Sequence, residues 1–138
     1  MSTPHRAAAL LLAAALPAAA GCSPDPLKRQ AVSGTVSFKG QPLEKGSIEF
    51  SADDGQATTV AVAIVGGRFA LPREKGPSPG NYLVRVRSPQ EVGRHVIKDG
   101  LEEGPPPIEL IPGNYNEHTT LKAKVEEGGA NHFEYKLD

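Results

Sequence analysis

Side chains able to do chemistry are few and scattered in this chain of 138 residues, which has one cysteine, four histidines, three tyrosines and no tryptophan. Cys22 carries the one thiol, a nucleophile and an acyl acceptor. His132 and Glu134 stand two apart in an alternating segment, so on a strand they share a face. Imidazole and carboxylate placed that way suit zinc or copper; adjacent solvated polar residues explain the pair without any ion. Tyr115, His118, His132 and Tyr135 have the residue types of an iron site with two tyrosines and two histidines. His132 and Tyr135 differ in parity, however, and face opposite sides of a sheet. Asp53 and Asp54 offer oxygens to calcium, but a working site takes about six or more, and with Gly55 they read as turn formers. His95 lies among Arg94, Lys98 and Asp99 and reads as solvated loop. No serine sits in a nucleophile elbow. The expectation is no catalytic residue, no metal and no cofactor.

Cys22 ends a leader-like segment. A short basic start, His5 and Arg6, precedes Ala7 to Leu16, an apolar run of Ala and Leu alone, and Ala18, Ala19, Ala20 and Gly21 lead directly to the cysteine. This is the three-part pattern of an export signal, and its apolar run is shorter than the roughly 20 residues of a spanning helix. Ala19-Ala20-Gly21-Cys22 resembles the end of a bacterial lipoprotein signal, whose cysteine becomes the first mature residue and is diacylated on sulfur. The resemblance implies lipid attachment at Cys22. It departs at Ala19, where leucine is usual; the nearest leucine is Leu16. Ordinary secretion with cleavage near Ala20, leaving a free thiol, is the alternative. A buried core cysteine does not fit, because Ser-Pro-Asp-Pro follows at once. Two acyl chains, at about 0.8 kcal/mol per buried methylene, anchor stably where one does not. Ser23 resembles the residue that permits outer-membrane delivery rather than aspartate retention. The expected location is outside the cytoplasm, membrane-anchored on the periplasmic side or cell surface. With Cys22 acylated, the fold holds without a disulfide.

Everything after Cys22 supplies the frame. Removing residues 1–21 takes away Arg6 and no acid, leaving 117 residues of formal charge −2, enough for one domain with one modest core. Charges are interspersed, with neither a basic stripe nor an aromatic platform, so nucleic acid is excluded as a partner. Fifteen glycines and thirteen prolines argue for frequent turns. Apolar residues alternate rather than recur at three and four, so the class is all-β.

Residues 22–30 read as a flexible polar tether and 31–138 as the domain. A first strand over Ala31 to Lys39 points Val32, Gly34, Val36 and Phe38 one way. After a turn at Gly40 to Gly46, Ser47 to Ser51 sends Ile48 and Phe50 inward. Asp53-Asp54-Gly55 turns into Ala57 to Val65, apolar on both faces, which predicts a central strand or one covered twice. Gly66-Gly67 leads to Arg68 to Leu71, with Phe69 and Leu71 inward. A rigid loop over 72–80 precedes Asn81 to Ser88, with Tyr82, Val84 and Val86 inward and Leu83, Arg85 and Arg87 outward. Residues 89–107 read as a long polar connection, functional or mobile. Brief pairing at Ile108 to Ile111, then Thr119 to Val125 (Leu121, Ala123 and Val125 inward) and Asn131 to Asp138 (Phe133, Tyr135 and Leu137 inward) complete the domain. About seven strands at near-regular spacing predict a Greek-key β-sandwich.

Several phrases carry a family resemblance. Val32-Ser33-Gly34-Thr35-Val36-Ser37-Phe38-Lys39-Gly40-Gln41-Pro42-Leu43 resembles the opening of carboxypeptidase regulatory-like, transthyretin-like domains. Gly67-Arg68-Phe69-Ala70-Leu71 and Pro79-Gly80-Asn81-Tyr82-Leu83-Val84-Arg85-Val86 resemble two later strands of the same domains. Ile111 to Asn116, Thr120-Leu121, Val125 and Asn131 to Leu137 resemble the ending of small bacterial lipoproteins that carry this domain. The resemblance implies a prealbumin-like sandwich of seven strands, no catalytic activity, and scaffold roles for Gly34, Pro42 and Tyr82, the last anchoring a corner by its hydroxyl. A relative of this fold that hydrolyses 5-hydroxyisourate has a histidine near its start and ends Tyr-Arg-Gly-Ser. This chain ends Tyr135-Lys136-Leu137-Asp138 and has no histidine in its first strand. The four-residue Tyr and His set resembles that of the intradiol dioxygenases, with the parity conflict already noted.

Three functional readings follow. The first is a non-catalytic, membrane-tethered sandwich, an accessory, structural or binding module of the cell envelope with an envelope protein or polysaccharide as partner. The second is a carbohydrate- or peptide-binding module that uses the 89–107 loop with Arg85 and Arg87, which fork onto carboxylates; the lack of tryptophan counts against sugar. The third, a metal-dependent or hydrolytic enzyme, requires His, Tyr or Asp side chains converging in space.

Overall fold

The computed structural model describes residues 24–93 and 96–138 and turns the alternating segments into strands. In chain order these are β1 (Val32–Phe38), β2 (Gln41–Pro42), β3 (Lys45–Ala52), β4 (Val60–Val65), β5 (Arg68–Leu71) and β6 (Gly80–Arg87). They continue with β7 (Pro89–Gln90), β8 (Val96–Lys98), β9 (Leu101–Glu103), β10 (Ile108–Glu109), β11 (Lys122–Val125) and β12 (His132–Leu137). Short 3-10 turns at Arg73–Lys75 and Gly113–Tyr115 are the helical elements among the described residues. The fold is all-β.

One sheet carries the domain, in the order β11-β6-β3-β4-β5-β1-β12, with β2 beside β1. Its neighbours are antiparallel except β1 and β12, which run parallel. The sheet curls on itself. Three strands separate β3 from β12, a lateral distance of about 19 Å if flat. Yet the rings of Phe50 on β3 and Phe133 on β12 lie 6.2 Å apart, and Phe69 on β5 stands 6.0 Å from Phe50. Within the curl, Val32, Val36, Ile48, Phe50, Ile64, Phe69, Tyr82, Val84, Val86, Ala123, Val125, Tyr135 and Leu137 form one buried core. For β3, β5 and β6 every residue expected inward is buried in the core, while Phe38, Leu121 and Phe133, also expected inward, are half-buried against it.

Two close contacts hold this curl. At Gly34 a Cβ would stand 2.0 Å from the Phe133 carbonyl oxygen and 2.6 Å from the Phe69 ring, so only glycine lets β12 lie against β1 beneath that ring. The hydroxyl of Tyr82 donates to the Ser78 carbonyl at 2.8 Å, fixing the corner that enters β6.

The structure departs from the sequence reading in three places. The strand expected from Ala57 begins at Val60. It is central, between β3 and β5, but Ala61, Ala63 and Val65 on its outer face are exposed, Val65 by 71%. Outward alanines are too small to demand a cover, so apolar composition did not mean a second layer. Residues 89–107, expected as an irregular connection, hold β7 paired with β10 and a hairpin of β8 and β9. The hairpin turns at Asp99 and Gly100, with φ of +51° and +81°, a two-residue turn of the Asp-Gly kind set among polar residues. Within the tether expected over 22–30, Asp25 to Arg29 form a hydrogen-bonded turn, and Lys28, Arg29 and Gln30 bind it to the domain.

Candidate functional site

Three surfaces bear on function: the pole where the chain enters the domain, the outer face of the sheet, and the opposite pole. Asp25 organises the entry. Its carboxylate accepts the amides of Leu27 and Arg29, each at 3.0 Å, and its carbonyl accepts the Lys28 amide at 3.0 Å. The Arg29 amide foremost, with help from the Leu27 amide and the nearby Arg29 and Arg73 charges, holds this carboxyl below its ordinary 3.8. Arg29 then donates to the Glu74 carbonyl at 2.9 Å, Lys28 pairs with Glu127 at 3.1 Å, and the Gln30 amide reaches the Pro77 carbonyl at 2.9 Å. Asp25 went unnoticed in the sequence, although an aspartate two and four residues ahead of free amides is a recognisable turn device. Cys22 lies outside the described residues.

On the outer face, Arg85 is spent within the sheet, with Nη1 at 3.2 Å from a Glu49 carboxylate oxygen and 2.8 Å from the Ser51 hydroxyl. Arg87 is exposed. His132 sits across from Ser33 in the β1–β12 register, its Nδ1 3.0 Å from the hydroxyl, and Glu134 pairs with Lys136 at 3.1 Å. The two members of the candidate His132–Glu134 pair thus have separate partners. Ser33, Thr35, Ala63, Ala70, Arg68 and His132 line a shallow open depression of about 660 Å³.

The remaining candidates do not converge. Tyr135 is buried, and its hydroxyl donates to the Lys122 carbonyl at 3.2 Å; burial pushes this phenol far above its ordinary value. His132, three residues earlier, is exposed on the other face. Tyr115 accepts the Asp138 amide at 3.2 Å. Asp53 faces Lys122 on β11 at 3.8 Å, and Asp54 caps the Gln56 amide within the turn at 2.9 Å. His95 lies outside the described residues. Among the described residues, no three His, Cys, Asp or Glu side chains gather as they would around a metal, and no helix is long and apolar enough to cross a membrane.

The opposite pole is apolar and exposed. Val96, Ile97, Leu101, Ile108 and Leu110 are exposed by 47%, 73%, 70%, 60% and 44%. Their base is firm: Glu109 accepts the amides of Ser88 at 2.7 Å and Ile111 at 2.9 Å, tying β10 to the end of β6. Compared with known protein families, curated proteins and solved structures, the chain gives no match in any of the three.

Proposed function

We propose that this protein is a non-catalytic lipoprotein whose domain is a prealbumin-like, seven-stranded Greek-key sandwich of the carboxypeptidase regulatory-like kind. It acts as an accessory or binding module of the cell envelope, held there by acyl chains on Cys22. The observation that carries this reading is the leader: a basic start, an Ala and Leu run, four small residues and then the chain's single cysteine. Support for the sandwich comes from the seven strands along the sheet path, the side-chain-free crossing at Gly34 and the Tyr82 corner. Support for a non-catalytic role comes from the ionisable candidates, whose partners are turn amides, neighbouring strands and one another.

The test is Cys22→Ser together with intact mass. The wild-type chain is expected in the membrane fraction with a diacyl mass increment, and the variant in the soluble fraction. A wild-type chain without acyl mass that still needs detergent for extraction would defeat the proposal.

A second reading, peptide binding at the 89–107 segment, is favoured over sugar binding by the exposed Val96, Ile97 and Leu101 on a hairpin. Strand edges of this kind accept an added strand from a partner.

A further inference from the structure

We infer that the entry pole of the domain lies directly against the lipid surface, with Leu27 in the interface. This rests on the proposal that Cys22 is acylated. The argument is one of reach. A free tether over 22–30 spans up to about 30 Å and leaves the domain at any orientation. Here the chain is fastened from Asp25: two amides on its carboxylate, Arg29 on the Glu74 carbonyl, Gln30 on the Pro77 carbonyl, and Lys28 on Glu127. Between an acylated Cys22 and Asp25, where the fastened turn begins, three Cα steps remain, about 10–11 Å when extended. The headgroup layer that this leash must cross is itself about 5–7 Å thick. The leash therefore holds the entry pole within a few ångströms of the headgroups, close enough for Leu27 to enter them.

Chemistry at the pole fits that position. Leu27 is 51% exposed beside Arg29 and Lys75, at the rim of a depression of about 460 Å³ that Glu74 and Asp54 also line. An apolar side chain ringed by charged heads is an interfacial arrangement. The charges at this pole balance: Lys28, Arg29, Arg73 and Lys75 stand with Asp25, Asp54, Glu74 and Glu127. Attraction to anionic lipid is thus small, and contact follows from the short leash and Leu27. β1 leads away from this pole, and four antiparallel steps along the sheet give β6 the same direction, from the Tyr82 corner to Ser88, so the apolar hairpin of β8 and β9 is rooted at the pole that faces outward.

The chain has no tryptophan, so a single introduced indole reports one position. Leu27→Trp and Ile97→Trp proteins, purified full-length from membranes, are reconstituted into phosphatidylcholine vesicles with brominated acyl chains. The expected result is a blue shift with several-fold stronger quenching at position 27 than at 97, unchanged in high salt. Equal quenching at both, or none at 27 on a chain whose mass shows acylated Cys22, overturns the docking. If the mass shows an unmodified thiol, the lipoprotein proposal fails instead. Coupling that thiol to a maleimide phospholipid then repeats the comparison, and the same two outcomes decide the docking.

Discussion

The phenol of Tyr135 on β12 donates to the carbonyl of Lys122 on β11, at 3.2 Å, and these two strands are the opposite ends of the sheet path. A curled sheet that does not close leaves two edges with unpaired backbone groups. Here one buried hydroxyl bridges the edges where no ladder joins them. Tyr135→Phe keeps the ring and removes the bridge, so it is expected to cost about 1 kcal/mol. Denaturant unfolding at equal m-value checks this; an unchanged midpoint would show that water serves the Lys122 carbonyl equally well.

Tyr82 combines a buried ring with a corner hydrogen bond to Ser78. Tyr82→Ala is expected to lose about 3–5 kcal/mol and Tyr82→Phe about 1 kcal/mol. Thermal and chemical unfolding separate the two contributions. Equal losses for both variants would mean that the hydroxyl, not the ring, holds the corner.

Gly34→Ala tests the closest approach in the core. Its methyl group would meet the Phe133 carbonyl oxygen, a backbone atom that cannot swing aside, so β12 must part from β1. A loss of at least about 3 kcal/mol is expected, or failure to fold. Phe69→Leu, which relieves the ring contact and leaves the backbone one, should not rescue the variant.

Acid should release the entry segment before it unfolds the domain. The Asp25 carboxyl is held below 3.8 chiefly by the Arg29 amide. A depressed carboxylate contributes stability that is fully present above 3.8 and is lost as pH falls through the lower folded value. In an NMR titration, the Leu27 and Arg29 amides should move together with a midpoint below 3.8. A midpoint at or above 3.8 would show that Asp25 does not hold the segment. Asp25→Asn should speed hydrogen exchange at these amides and leave core amides protected.

Alkali should act through the two buried phenols. Burial foremost, with the Asp54 charge second, raises the Tyr82 phenol above 10.0, and burial raises that of Tyr135 further. A raised phenol favours the folded state fully below the unfolded value of 10.0, and that contribution is lost as pH rises through the folded values. Unfolding free energy should be level up to about pH 9 and fall beyond about pH 10. A level profile to higher pH would mean both hydroxyls ionise in place without cost.

Much of the strand pattern was legible from residue types alone. Val32, Val36, Ile48, Phe50, Phe69, Tyr82, Val84, Val86, Val125 and Leu137 are inward for a local reason, since side chains two apart share a face and the apolar set must be the dry one. Asp53-Asp54-Gly55 and Gly66-Gly67 turn because glycine accepts a positive φ, also a local property. Those features needed no knowledge of what lies opposite.

The unread features are long-range. Nothing in Lys122 or Tyr135 announces that β11 and β12 meet, because that contact depends on how far the whole sheet curls. The bare outer face of β4 depends on whether a second layer exists, which its own alanines do not specify. Arg85 looked like a free fork and is spent on Glu49 and Ser51, partners 36 and 34 residues away. The fastening of Asp25 to Gln30 requires Glu74, Pro77 and Glu127 to be neighbours first. Local alternation thus determined which side chains are dry, together with the expectation of a leader ending at Cys22. The curl alone decided which wet side chains find one another, because contacts across a sheet are settled by three-dimensional closure and not by spacing along the chain.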